Sequence, residues 1–289
     1  MPTLRQLRYL TALAEERHFG RAAALCHVTQ PALSMQIREL EAELELTLVE
    51  RGRGGVALTA DGEALAERAR TLTAGVRDLE DFARERRGVR SRRLVLGVIP
   101  TIAPYLLPKL LPVLQAVIPE LDLKVRETQT TALMSELAAG ELDAVIAALP
   151  LEGEGLQTIT LFEDPFLLAS PVEAPVMAGD PRDLPVERLL LLEEGHCLRQ
   201  QALGACAISD LSTFGATSLT TLLLLVAHGQ GITLLPQMAA AEITDSRIAL
   251  GRFPAPEPSR TVAMAWRSGS PRSKQLKGLA ARLIEAHHD

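Results

Sequence analysis

The sequence predicts an α/β protein in three parts: a small helical head with a β-hairpin, one long helix, and a larger α/β region of two lobes. Three observations carry this. Before residue 60, apolar residues recur at three- and four-residue spacing in short blocks, as they do on amphipathic helices. From 60 to about 90 one such pattern runs on without a break. Beyond 91, short Leu-, Val- and Ile-rich runs alternate with helical stretches, the signature of strands separated by helices. A chain of 289 residues also suits two or three domains better than one.

In the head, Leu4 to Glu16 reads as a helix with Leu7, Leu10, Leu13 and Ala14 on one face. Phe19 to Leu25 is a second, alanine-rich helix that permits close helix–helix approach. His27-Val28-Thr29 makes a turn. Thr29 is placed to cap the next helix, and Pro31 fits its first turn, where a missing N–H costs nothing. That helix turns Leu33, Ile37, Leu40 and Leu44 inward, leaving Gln30, Ser34, Met35 and Arg38 outward. Helix, tight turn and capped helix form a helix-turn-helix, whose second helix enters a DNA major groove by its N-terminal side chains. Leu48 to Leu58, LVERGRGGVAL, then gives two short strands around a Gly-rich tip. Arg51 and Arg53 are placed there for phosphates or the minor groove. The alternative from periodicity alone is an ordinary three-helix cluster with a solvated face.

Bulk charge does not decide between them. The net charge is −6, and residues 1–90 hold 14 basic and 14 acidic side chains. A DNA contact must therefore come from where the arginines sit, not from how many there are. After the hairpin, Thr59 can cap the long helix, with Asp61 and Glu63 in its first turn where the helix dipole favours acids. Leu65, Ala69, Leu72, Val76, Leu79 and Ala83 repeat at 4-3-4-3-4. That heptad seam suits pairing with a second copy of the chain. Gly88 to Arg93, GVRSRR, reads as a hinge. The first nineteen residues carry scattered charges and no apolar core, unlike a secretory signal. The longest strongly apolar run, Leu222 to Ala227, is far short of a membrane span. The expectation is a cytoplasmic protein, where a permanent disulfide is unusual.

The larger region opens with RLVLGVI as a buried strand, a proline-entered helix, LDLKVRET as a strand, then helix, turn and strand through Pro150. This predicts a parallel sheet, and ligands on such sheets bind beyond the C-terminal strand ends. Thr101 and Thr130 each sit just past one such end. LFEDPFLLASP reads as the crossing into a second lobe, where LLLLEE is a strand leading into Gly195. ITLLP follows a helix and a Gly-rich turn. TVAMAWR returns as a strand, and Ser273 to His288 closes the chain as a helix. The expected domains are 1–59, 60–90 and 91–289. The last divides into one lobe of about 91–163 with 266–289, and another of about 164–265.

Two of the three cysteines, Cys197 and Cys206, are nine positions apart. Leu198 to Leu203 between them are good helix formers, and Gly204 suits a helix stop. Nine helical steps of about 1.5 Å separate the two by about 13 Å. A disulfide needs Cα atoms within roughly 4.4–6.8 Å. Bonding the pair must therefore unwind the segment. His196 and Arg199 beside Cys197 can favour the thiolate, the form that attacks an oxidant. Cys206, with no basic neighbour in sequence, suits the resolving role. Thr101 and Thr130 could hold peroxide oxygens if their strand ends converge on Cys197. Two bland alternatives stand beside this: ordinary packed cysteines, which is the reading for Cys26, or a zinc site from His196, Cys197 and Cys206. The zinc site lacks the usual ligand spacing and a fourth ligand, so no metal or other cofactor is expected.

The stretch AAALCHVTQPALSMQIRELEAELELTLVER closely resembles the winged-helix signature of LysR-type transcriptional regulators, and ATSLTTLLLLVAHGQGITLLP resembles a stretch of their sensor domains. LLEEGHCLRQQALGAC and VIPTIAPYLLP are similar to the redox and peroxide-site motifs of the OxyR group of that family. The resemblance implies a winged helix-turn-helix, a linker helix, and a two-lobed, periplasmic-binding-protein-like α/β sensor domain. It implies DNA reading through Gln30, Pro31, Ser34, Arg38, Arg51 and Arg53. Dimerisation through Leu65, Leu72, Val76 and Leu79 follows, with assembly to a tetramer and contact with RNA polymerase. By the same resemblance Cys197 is the peroxidatic residue and Cys206 the resolving one, with Thr101, Thr130 and His196 lining the hydrogen-peroxide site and Arg199 tuning the thiolate. Two departures are visible. Gln200 stands where an acid is common, and the segment from Cys206 to Phe214 is short. The expected function is a peroxide-sensing transcription factor that is not an enzyme. Its runner-up is a LysR-type regulator that answers to a small metabolite. A thiol peroxidase would share the cysteine chemistry and leave residues 1–60 unexplained.

Overall fold

The computed structural model describes residues 1–52, 55–86, 93–117, 120–209 and 215–288. They fall into two compact units: Met1–Ser91 with Glu136–Glu141, and the remainder.

The first unit holds α1 (Leu4–Glu16), α2 (Phe19–Leu25), α3 (Gln30–Leu44), a hairpin of β1 (Val49–Gly52) and β2 (Gly55–Leu58), and α4 (Ala60–Arg86). Thr3 and Gln6 close a reciprocal capping box on α1. His18 caps α2, its Nδ1 accepting from the amides of Gly20 at 3.0 Å and Arg21 at 3.3 Å. Thr59 Oγ1 accepts from the Gly62 amide at 3.0 Å and so starts α4. Thr29 occupies the cap position of α3, but its side chain makes no capping bond. The core is Leu10, Leu13, Leu33, Ile37, Leu40 and Leu48, all fully buried. Gly62 is required by proximity: a Cβ there would lie 2.1 Å from the carbonyl oxygen of Leu48.

The heptad on α4 divides between two uses. Leu65 packs against the head's own core and Ala69 is buried, because that face lies along α1. Leu72 and Leu79 point outward at 57% and 68% exposure, with Val76 half-buried between them. Of the expected seam, then, Leu65 is already occupied within its own unit. The hinge residues 88–92 and the hairpin tip with Arg53 lie outside the described residues.

The second unit begins with β3 (Arg93–Val98), α5 (Ala103–Val117), β4 (Asp122–Glu127), α6 (Thr130–Ala138, as far as Ser135) and β5 (Ala144–Ala148). The 16-residue β6 (Leu156–Pro171) follows, then β7 (Leu191–Leu192), α7 (Cys197–Ala205), β8 (Gly215–Ala216) and α8 (Leu219–Ala227). The chain continues through β9 (Thr233–Pro236), α9 (Gln237–Ala240), β10 (Ile248–Arg252), β11 (Ser259–Arg267) and α10 (Ser273–His288). The main sheet runs β10-β6-β11-β5-β3-β4, with β9 also on β6.

Only part of this sheet is parallel. β3 pairs in parallel with β4 and β5, while β11, β6, β9 and β10 join antiparallel. The parallel pairing expected of the first three strands is present in β3, β4 and β5. The sheet becomes mixed beyond them at β11, which enters from the far lobe beside β5 without a crossover helix. β6 links the lobes. Its first half pairs with β11 and its last residues pair with β9 and β10. LLLLEE yields only the two-residue β7. Leu189 makes a separate bridge to Ile232.

Candidate functional site

Two loops of the first lobe and one of the second build the site. β3 ends at Val98, and the chain turns through Thr101, with the amides of Ile102 and Ala103 bonded to the carbonyl of Ile99. β4 ends at Glu127, and Thr130 opens α6. Because β3 and β4 are neighbouring parallel strands, both threonines emerge at the same edge. From the second lobe, Gly195 takes φ +90°, His196 occupies the N-cap position of α7 without a side-chain capping bond, and Cys197 is the helix's first residue. Ile99, Pro100, Thr101, Gln129, Thr130, Gly195, His196 and Cys197 line one cavity of about 10 Å³. That is about the room a single water-sized molecule needs.

The polar groups in this cavity are oriented. Thr101 is 3% exposed. Its Oγ1 accepts from Arg260 Nη1 at 2.9 Å, and its carbonyl accepts from Arg260 Nη2 at 3.0 Å. Arg260 is itself fixed by Asp164, at 3.0 Å from Nε and 2.9 Å from Nη2, and both side chains are buried. Asp164 also accepts from the Met238 amide at 2.9 Å. With an arginine donating to Thr101 Oγ1, the hydroxyl hydrogen of Thr101 is free to donate elsewhere. Thr130 Oγ1 is buried with no hydrogen-bond partner among the described residues. Such a group costs about 1–3 kcal/mol unless something polar meets it.

Cys197 is half-buried and Cys206 is 5% exposed; both are free thiols. Between them α7 is continuous, as the segment's composition predicts. The helix stop differs from expectation. Gly204 lies inside α7, and the reversal comes at Ala207, φ +55°. There the amides of Ala207 and Ile208 bond to the carbonyls of Gly204 and Leu203, a Schellman closure made without glycine. Cys206 belongs to the apolar core of the second lobe, with Leu198, Ala202, Leu203 and Leu219. Burial pushes its thiol up. Burial also pushes His196 down, against a smaller upward pull from Glu193. The surroundings of His196 thus disfavour the imidazolium form. Arg199 is buried beneath α7, where Nη1 donates to the carbonyl of Leu192 at 3.3 Å. Gln200 is exposed.

In the head, Gln30, Pro31 and Arg38 are exposed on α3 and Ser34 is half-buried. Arg38 Nε donates to the Ser34 carbonyl at 3.3 Å. Arg51 stands on β1 opposite Val56. Among the described residues, no group of three or more His, Cys, Asp or Glu could hold a metal ion. No described helix is long and apolar enough to cross a membrane.

Sequence reasoning missed Gln129, Asp164 and Arg260. Gln129 adjoins Thr130 and could have been read from that. Arg260 is 159 positions from Thr101, and nothing local marks it.

Known proteins match the chain along its whole length. Residues 4–63 match the family model for the bacterial regulatory helix-turn-helix protein, lysR family, and residues 87–287 match the LysR substrate binding domain. The chain is 45% identical to a hydrogen peroxide-inducible genes activator of Dickeya chrysanthemi, over 98% of this chain and 95% of that protein. It is 43% identical to the DNA-binding transcriptional dual regulator OxyR of Escherichia coli K12, over 99% and 97%. A full-length OxyR variant from Pseudomonas aeruginosa superimposes with a TM-score of 0.78 at 38% identity, covering 97% of this chain and 94% of that one. An H2O2-bound OxyR variant from Corynebacterium glutamicum gives 0.63 at 32% identity, covering 100% and 95%. With a lysR-family head, a LysR sensor domain and relatives of this kind along its whole length, the chain belongs to the LysR family of transcriptional regulators, in its OxyR group.

Proposed function

We propose that this chain is a cytoplasmic peroxide-sensing transcription factor and not an enzyme, with Cys197 as the thiol that reacts and Cys206 as the thiol that resolves. One observation carries the reading: Thr130 Oγ1, buried and unpartnered among the described residues, shares a cavity with Thr101 and Cys197. A peroxide oxygen there would satisfy Thr130 and accept from the free hydrogen of Thr101. The cavity's small volume disfavours a metabolite.

The chemistry follows from the placement. The Cys197 thiolate attacks one peroxide oxygen, the O–O bond breaks, and the departing hydroxide takes up a proton as water. Cys197 is left as a sulfenic acid. Cys206 then attacks that sulfur, a disulfide forms, and a second water leaves. Cys206 reaches Cys197 only by leaving the core and unwinding α7, so the disulfide reshapes the second lobe. The change reaches DNA through a head in which Gln30, Pro31, Ser34 and Arg38 of α3, with Arg51 and Arg53 of the hairpin, face double-stranded operator DNA. Leu72, Val76 and Leu79 pair with a second copy, two dimers form a tetramer, and RNA polymerase is the partner at the promoter. The domains are taken as 1–59, 60–90 and 91–289.

The test is thiol titration and mass spectrometry before and after one equivalent of H2O2, followed by footprinting of both forms on the DNA upstream of the chain's own gene. Loss of two thiols with one Cys197–Cys206 disulfide and an altered footprint is expected. Unreactive thiols would reject the reading.

A further inference from the structure

We propose that Gln129 is the gate of the peroxide cavity: laid across the bare Cα of Gly195, its side chain admits H2O2 and excludes organic hydroperoxides. This rests on Cys197 being the reacting thiol. The cavity has an inner and an outer wall. Thr101 and the Oγ1 of Thr130 are buried on the inner side. On the outer side Gly195 is exposed and Gln129 is half-buried.

The fit between these two outer residues is close. A Cβ on Gly195 would meet Oε1, Cδ and Nε2 of Gln129 at 2.4, 2.8 and 2.9 Å. Only glycine there leaves space for the amide, and only glycine takes φ +90° without strain. Gln129 Nε2 also donates to the carbonyl of Glu194 at 3.4 Å. The backbone of Gln129 is fixed by its carbonyl, which accepts from the Leu133 amide in the first turn of α6. Its side chain thus spans from one lobe to the loop that leads into Cys197.

Any hydroperoxide ROOH balances in the same way. Thiol and ROOH give sulfenic acid and ROH, and the second thiol gives disulfide and water. Reactivity alone therefore does not separate H2O2 from an alkyl hydroperoxide, and the discrimination must be steric. About 10 Å³ leaves no space for an alkyl group while Gln129 stays in place.

The experiment uses the full reduced chain and measures second-order rates of Cys197 oxidation by H2O2 and by tert-butyl hydroperoxide. Gln129→Ala should raise the ratio of the tert-butyl rate to the H2O2 rate about tenfold or more, the usual scale for a steric clash relieved. Gln129→Met, which keeps the bulk, should hold the ratio within about threefold of the parent. A general disturbance of the fold lowers both rates and leaves their ratio alone. If the parent reacts with H2O2 and Gln129→Ala does not change the ratio, the gate is wrong and the sensor reading stands. A rise in Gln129→Met equal to that in Gln129→Ala would overturn the steric seal. If the parent does not react with H2O2 at Cys197, the sensor reading falls, and the gate with it.

Discussion

α3 in the head and α7 in the sensor are both surface helices that end in a left-handed residue, yet they are built to different tolerances. α3 has 15 residues and buries Leu33, Ile37 and Leu40 completely. Its neighbours α1, α2 and α4 each carry a side-chain cap. α7 has only nine residues. Like α3 it lacks a side-chain cap and closes on a left-handed residue other than glycine, Ala207 as against Glu45, so the two differ in length and in what they bury. Helices under about 12–15 residues are marginal in water and depend on packing. The difference teaches what each helix is for. A helix that presents side chains to DNA must hold its register. A helix whose ends must meet in a disulfide must be cheap to unwind.

The largest effect that could break this contrast is chemical. Cys197→Ser should abolish the peroxide response, and Cys206→Ser should react once and stop at the sulfenic acid or over-oxidise. Mass spectrometry after one equivalent of H2O2 reads both. Oxygen added to Cys206 at the parent rate in Cys197→Ser would reverse the roles. Next in size is packing. Ile37→Ala, at a fully buried position, should cost about 2–5 kcal/mol by denaturant unfolding. Ala202→Gly in α7 should cost about 1 kcal/mol. Equal costs would erase the distinction between the helices.

Smaller again is the DNA contact. Arg38→Ala should weaken operator binding and reduce the slope of log affinity against log salt by about one. Unchanged affinity and slope at matched salt would remove Arg38 from the interface. The smallest effect concerns pH. The imidazole of His196 is pushed below its ordinary value, so folding resists its protonation. As pH falls below about 6.5, the unfolded chain binds that proton first and the folded state loses stability. His196→Gln should therefore lose less stability than the parent between pH 7 and 5. An identical loss in thermal unfolding would show that the imidazole is solvated.

What was legible in the sequence was mostly local. The helices of the head, the closing helix and the helix between the cysteines follow from periodicity and propensity, which act within a few residues. Thr101 and Thr130 followed from one further rule, that strand ends in a parallel pair share an edge. Arg260 and Asp164 were hidden because a buried ion pair is specified by tertiary placement, and its two members are 96 positions apart. The mixed sheet was hidden because β11 reads as a strand in either direction. The helix stop was misplaced because Gly204 looks like a terminator, whereas the hydrogen bonds of the last turn set the reversal three residues on.

That reversal has an electrochemical consequence. A left-handed residue other than glycine costs roughly 1–2 kcal/mol, and Ala207 carries that cost while α7 is wound. If it relaxes in the oxidised segment, the strain belongs to the dithiol form alone and favours its oxidation. For a two-electron couple about 1.4 kcal/mol corresponds to about 30 mV. Ala207 then lowers the reduction potential of the Cys197–Cys206 couple by roughly 20–40 mV. Ala207→Gly, equilibrated against glutathione buffers, should move the potential upward, toward easier reduction. A potential that stays put or falls would mean that the closure stores nothing that the disulfide can release.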